Sequence, residues 1–294
     1  MEKRKVSQLT FAEHPDQGKK CWIPLSGCNF NCNGCISISK EGIGRLFSVD
    51  ELVDLILKSC KFLYKGEKIK KTCITGGEPL LSKDYFLHLL NKLKSISVKK
   101  FELSTNGYFL DEELLKELCS LKIDLLVKLD LKAYTNKIHK EYTGVDNTNI
   151  LNAVSLLSKY GPKLHKQSFP FVVRTVYMPD IFGLDEIEKI AKFLNKEEKN
   201  VCFRIQQFSP IHGRKISRRP SFDEMLMAYN IARKYLENVI VSTYLPTRPE
   251  YNYVEIRDDR LIEMFKEIDR KSKTVIESWN VKYFTMNQIL KWAK

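Results

Sequence analysis

Apolar runs of strand length alternate along this chain with longer stretches whose apolar residues recur every three or four positions. CWIPLS at 21–26 reads as a first strand, and SVDELVDLILKSCKFLY at 48–64 reads as a helix. In that helix Ser48 and Glu51 stand at capping-box spacing, and Leu52, Leu55 and Ile56 fall on one face. Strands follow at 71–75, 101–104, 124–132, 169–178 and 201–209, with helices at 84–96, 111–122, 149–161, 183–198 and 222–237, the fourth helix ending near Gly161. Six β/α units in succession predict a parallel sheet built from βαβ connections. The expected architecture is α/β: a partial (β/α)6 TIM-type barrel over residues 21–238, after an N-terminal segment of 1–20 and before a C-terminal extension of 239–294. Within the extension VIVSTY (239–244) is a candidate seventh strand, and Pro246 and Pro249 punctuate a turn-rich connector. The remaining tail reads as partly helical and amphipathic, with Leu261, Phe265 and Ile268 on one face.

In parallel barrels the chemistry gathers where strands hand over to loops at their C-terminal ends. The first strand delivers three cysteines, Cys28, Cys32 and Cys35, in GCNFNCNGC. The second delivers Gly76, Gly77 and Glu78 in TGGEP, the third Ser104 and Asn106 in STNG, and the fourth carries Asp130 and Lys132 in KLDLK. Arg174 interrupts the apolar fifth strand, and the sixth ends near Ser209. Standing alone, TGGEP and STNG read equally well as glycine turns, and Asp130 with Lys132 as a structural ion pair. Arg174 inside a buried strand requires a partner. Six strand ends converging on polar groups define one site.

Composition changes this picture in three places. Hydrophobic residues make up 43% and charged residues 29% of the 294, which is ordinary for a folded soluble chain. No run of 18 apolar residues occurs, and no signal-peptide-like stretch follows the basic N-terminus, so a cytoplasmic, non-membrane protein is expected. Eight cysteines, three of them clustered, suit a metal or redox site in a reducing compartment better than a disulfide framework. Cys60, Cys73, Cys119 and Cys202 lie in apolar patterns and are expected as small core residues. The net charge of +13 favours nucleic acid, anionic substrates or an acidic partner, although a Lys-rich and Glu-rich solvated surface gives the same number. Its densest segment is SPIHGRKISRRP at 209–220, on the proposed active face.

Three cysteines are one short of a structural zinc site, and the loop lacks the paired knuckles of a zinc ribbon. A [4Fe-4S] cluster suits them better, because three thiolates hold three irons and leave the fourth open. C-x3-C-x2-C after a first strand, followed by GGEP after a second, resembles the radical S-adenosylmethionine (SAM) superfamily. Within it, TGGEPLL, STNGYF, LDLKAYTNKIHKEYTGV and VVRTVYMP are similar to pyruvate formate-lyase activating enzymes and other glycyl-radical-enzyme activases. The resemblance implies a radical SAM partial barrel with a [4Fe-4S] cluster on Cys28, Cys32 and Cys35 and SAM on the open iron. It places Gly76, Gly77 and Glu78 at the SAM amino end and Lys132 or Arg174 at its carboxylate or ribose, with Ser104, Asn106, Asp130 and Ser209 completing the cofactor site. It further implies a glycyl radical enzyme or another macromolecular substrate as partner and a ferredoxin or flavodoxin as reductant. The alternative is a radical SAM enzyme acting on RNA or on a small-molecule or peptide biosynthetic substrate. Three positions depart from the family pattern: Gly34 replaces the aromatic residue that often lies near adenine, Ser104 replaces the aspartate of D-T-N-G, and Ser209 stands where activases often place a histidine, with His212 three residues on.

Overall fold

Each parallel strand carries one aliphatic and aromatic face and one mixed face, and this asymmetry decides which side the helices cover. A computed structural model describes residues 2–14, 18–35, 37–210, 216–243, 254–257 and 280–285. The chain opens with β1 (Arg4–Val6), β2 (Gln8–His14) and β3 (Gly18–Leu25), then β4 (Arg45–Phe47) and α1 (Val49–Tyr64). Next come β5 (Lys71–Gly76), α2 (Lys83–Ser95), β6 (Lys100–Thr105), α3 (Glu112–Ser120) and β7 (Asp124–Asp130). Two helices, α4 (Asn136–Thr143) and α5 (Thr148–Leu164), precede β8 (Val172–Tyr177), α6 (Leu184–Glu197), β9 (Cys202–Gln207), α7 (Phe222–Arg233) and β10 (Asn238–Thr243). Two further strands are β11 (Val254–Arg257) and β12 (Asn280–Thr285).

Strands β3, β5, β6, β7, β8, β9 and β10 run parallel in that order. The path of neighbours ends in β11 on one side and in β1 and β4 on the other, so the sheet curls without closing. Cys21, Ile23 and Leu25, then Ile74, Leu103, Val127, Leu129, Val173 and Ile205, face the helices and join Leu52, Ile56, Phe86, Leu115, Leu157 and Ile190 in one core. Burying each such side chain contributes about 1.5–3 kcal/mol, which makes this interface the main source of stability. The opposite, inward face alternates with it: Lys20, Trp22, Lys71, Cys73, Glu102, Ser104, Lys128, Asp130, Arg174 and Arg204. A second, smaller apolar cluster comprises Leu126, Phe169, Val172, Cys202 and Ile240.

The expected capping box of α1 is present: Ser48 Oγ accepts from Glu51 N, and Glu51 Oε2 accepts from Ser48 N at 2.7 Å. Several sequence expectations are adjusted. The candidate seventh strand is present as β10 (Asn238–Thr243), which extends the parallel set to seven and pairs Asn238 with Cys202; Tyr244 lies outside the described residues. Within the N-terminal segment, β1 and β2 pair with β3, which itself begins at Gly18. The tail contains β12, paired with β2 across Asn280 and Glu13, where helix was expected; its alternating valine and aromatics suit a pleated strand. Leu261, Phe265 and Ile268 lie outside the described residues. Helix α5 runs past Gly161 to Leu164, because that glycine does not cap the helix but admits Pro170 and Phe171, each 3.1 Å from where a Cβ would stand. Among the described residues no helix is long and apolar enough to cross a membrane.

Candidate active site at the open rim of the barrel

The loops after β3 and β5 meet at van der Waals limits, and glycine makes the meeting possible. A Cβ on Gly76 (φ +123°) would stand 2.3 Å from the Leu25 carbonyl oxygen, and one on Gly77 would stand 1.9 Å from that of Gly27. Gly77 N donates to the Leu25 carbonyl at 2.9 Å and Glu78 N to the Gly27 carbonyl at 2.7 Å. The Glu78 side chain then turns inward with 0% exposure. Its Oε1 accepts from Leu80 N (2.9 Å) and Thr105 Oγ1 (2.7 Å), and its Oε2 from Asn106 N (2.7 Å), tying the GGEP loop to the STNG loop. Burial pushes this carboxyl up to about 7 against those three donors. Arg4, from β1, locks the same junction by donating to the carbonyls of Ser26, Glu78 and Pro79.

Asn106 continues the chain of contacts into the cysteine loop: its Nδ2 donates to Asn29 Oδ1 at 2.8 Å and lies 3.8 Å from Cys28 Sγ. Cys28 Sγ also accepts from Phe30 N at 3.4 Å. Burial raises the Cys28 thiol and pushes Cys32 up to about 11, where Lys132 opposes and the neighbouring Cys35 and Cys28 add to the effect. Lys132 belongs to a half-buried triad. Asp130 accepts from Lys132 Nζ at 3.1 Å and from Arg174 Nε at 2.7 Å. Burial works against the Lys132 charge, but Asp130, with Tyr142 and Cys32 nearby, holds its affinity for the proton above the ordinary lysine value. Arg174 thus has the partner its setting demanded, and the ion pair between Asp130 and Lys132 exists beside the thiols.

Ser104 faces inward with its Oγ 3.8 Å from Cys73 Sγ, while Ser209 Oγ is buried without a hydrogen-bond partner among the described residues. Cys73 is buried, as expected for a small core residue, and lines the barrel interior; Cys60 is in the helix-facing core, Cys202 in the second apolar cluster, and Cys119 packs at the core edge. His212 lies outside the described residues. Gly34 has a steric reason: a Cβ there would stand 2.6 Å from Ile216 Cδ1 and 3.2 Å from Tyr142 Oη. Ile216, at the far end of the basic segment, occupies the space beside Gly34. On the other side of the loop the ring of His139 meets Phe30 edge to face at 5.7 Å, with Nδ1 2.8 Å from the Val145 carbonyl oxygen and a buried, unpartnered Nε2.

These residues fit an iron-sulfur cluster better than a single ion. Among the described residues no three His, Cys, Asp or Glu side chains close on one metal ion. Ligands of a multi-iron cluster are spread, because each thiolate meets its own iron. Buried thiols need a cation to ionise, and a cluster supplies it.

A second set of inward charges escaped the sequence reading. Glu102 Oε2 accepts from Lys20 (2.7 Å) and Lys128 (3.0 Å), and its Oε1 meets Lys71 at 2.8 Å. The available signal was a charge at alternate positions of apolar strands, in KTCIT, FELS and LLVKLD. Arg4 left no comparable mark.

A parallel-stranded half-barrel with a thiol loop after its first parallel strand, bolted to a glycine turn after its second, defines a protein of the (β/α) class. The model of the Radical SAM superfamily matches residues 22–194, and the chain belongs to that family. Membership implies a [4Fe-4S] cluster and SAM as cofactors. A Methanocaldococcus jannaschii protein provisionally named a glycyl-radical enzyme activating enzyme is 35% identical over 234 residues, covering 80% of this chain and 85% of its own. A Sulfurisphaera tokodaii protein provisionally named GTP 3',8-cyclase is 24% identical over 227 residues, covering 74% of this chain and 70% of its own. In fold the chain is similar to Streptococcus suis SuiB bound to S-adenosylmethionine, with TM-score 0.54 and 18% identity over 74% of this chain and 48% of that one.

Proposed function

We propose that this radical SAM enzyme installs a glycyl radical on a partner enzyme. The observation that carries the reading is the likeness to the provisionally named activating enzyme, which spans 80% of this chain at 35% identity. Cys28, Cys32 and Cys35 would hold the cluster and leave one iron open to SAM. When bound, the reduced cluster supplies the electron that cleaves SAM to methionine and a 5′-deoxyadenosyl radical. Lys132 and Arg174, fixed by Asp130, orient the SAM carboxylate or ribose. Gly76 and Gly77 offer backbone at the SAM amino end. Glu78 acts one step back, holding the loops after β5 and β6 in place through its three hydrogen bonds. Ser104, Asn106 and Ser209 complete the lining. The partner is a polypeptide presenting a glycine, and the reductant a one-electron carrier such as ferredoxin or flavodoxin.

Anaerobic reconstitution with iron and sulfide, followed by SAM and dithionite, is expected to release 5′-deoxyadenosine. Adding the glycyl radical enzyme encoded nearest in the genome should give a glycyl radical signal by electron paramagnetic resonance. SAM cleavage without that signal, coupled instead to consumption of a nucleotide, overturns the activase reading in favour of a small-molecule substrate. The likeness to the provisionally named GTP 3',8-cyclase supports that second reading.

A further inference from the structure

The inward charges at the rim and those beneath it are balanced differently. At the rim Asp130 serves Lys132 and Arg174, which leaves one positive charge in excess. Beneath it, Glu102 serves three lysines, Lys20, Lys71 and Lys128, which leaves that layer with two positive charges in excess. Among the described residues Glu102 is the carboxylate in ion-pair contact with all three lysines. Three ammonium groups around one carboxylate make a net positive site that an anion would complete.

The layer is also arranged with a front and a back. Glu102 and Lys20 have side-chain exposures of 5% and 7%, and Lys20 Nζ lies over the Trp22 ring at 4.2 Å. Lys71 and Lys128 are more open, at 19% and 24%. Both sit on the inward face of their strands, because Thr72, Ile74, Val127 and Leu129 take the helix-facing positions. Lys128 is one inward position below Asp130, a step of roughly 7 Å along the strand.

We propose that the barrel interior contains an oxyanion site in which Lys71 and Lys128, backed by Lys20 and Glu102, seat a carboxylate or phosphate group of the substrate. The inference deepens the proposed function and rests on it for the statement that the bound group belongs to the hydrogen donor. An anion held one layer below the rim anchors the rest of the substrate at the rim, where the radical is generated. The same oxyanion chemistry is offered by an acidic side chain beside the target glycine and by the phosphate of a small molecule.

The test uses reconstituted, SAM-loaded protein and calorimetric titration at fixed ionic strength with two probes, pyrophosphate and acetyl-Glu-Gly-amide. At least one is expected to bind; preference for the peptide identifies an acidic segment of a polypeptide, and preference for pyrophosphate identifies a phosphorylated small molecule. Lys71→Met with Lys128→Met should weaken the preferred probe at least about tenfold. Lys116→Met removes one exposed charge on α3 and should leave affinity unchanged. Should the double variant fail to fold, Glu102→Gln serves instead, since removing the competing carboxylate should tighten the probe about tenfold. Binding of neither probe, equal weakening by Lys116→Met, or unchanged affinity in Glu102→Gln overturns the proposal. Release of 5′-deoxyadenosine by the wild type is scored separately. Its loss with anion binding intact refutes the enzyme reading alone, and its presence without anion binding refutes the oxyanion site alone.

Discussion

Glu78 and Glu102 are both buried inside this barrel, and their surroundings drive them in opposite directions. Glu78, at the rim, is surrounded by neutral donors, and burial pushes it up to about 7. Glu102, one layer down, is equally deep, but Lys128, Lys20 and Lys71 overcome burial and hold it well below the usual carboxylate range. Hydrogen bonds from neutral groups hold a carboxyl in place without securing its charge, whereas three ammonium groups secure the charge and leave some over. The rim is thus a fixed frame and the interior an electrostatic one.

The largest effect is expected at the rim. Cys32→Ala should abolish SAM cleavage, measured as 5′-deoxyadenosine after reconstitution, because an iron loses its ligand. Residual cleavage near the wild-type rate would remove Cys32 from the ligand set.

Glu102→Gln should cost about 3 kcal/mol at pH 7 by leaving three lysines without their counter-charge, read from the denaturant midpoint. It also sharpens the comparison through pH. The depressed Glu102 contributes stability that is present above its unfolded value near 4.5 and lost as pH falls through its folded one. Wild-type thermal stability should therefore drop on the acid side of pH 4.5, and Glu102→Gln should flatten that limb.

Glu78 has the reverse sign. Its folded value of about 7 lies above the unfolded 4.5, so its contribution is complete below pH 4.5 and lost as pH rises towards 7. The wild type without SAM should lose up to about 3 kcal/mol across that interval. Glu78→Gln, which presents an amide donor to Asn106 N, should cost about 1–3 kcal/mol at pH 4.5 and show no decline above it. An identical decline in both proteins would assign the pH dependence elsewhere.

Smaller effects test the packing of the cysteine loop. Gly34→Ala should cost about 1 kcal/mol by displacing Ile216, and Ile216→Ala should recover most of it in the double variant. Cys119→Ala, at the core edge, should change stability by less than about 1 kcal/mol and leave SAM cleavage at the wild-type rate. Equal losses of cleavage in Cys119→Ala and Cys32→Ala would erase the distinction between ligand and packing cysteines.

Legibility followed the periodicity. Helices α1, α2, α3 and α6 have amphipathic spacing, and their positions matched; α4 went unread because Asn136–Thr143 is short and polar, with His139, Tyr142 and Thr143 burying themselves only against the cysteine loop and its neighbours. Among site residues, Arg174 announced itself as a charge within FVV and TVY. Lys20 did not, since it stands at the polar start of its strand, and its burial depends on Glu102, 82 positions away.

The sequence by itself determined the alternating β/α order, the three-thiol loop, and the strand ends on which the polar groups fall. These follow from local spacing, which the 3.6 and 2.0 periods convert directly into faces and ends. The tertiary structure alone decided that Glu78 joins loops instead of standing free, that Gly34 yields its space to Ile216, that the N-terminal Arg4 locks the rim, and that three lysines share one buried carboxylate. Each of these depends on groups far apart in the chain brought within hydrogen-bonding or contact distance, and desolvation at that distance fixes which charges survive.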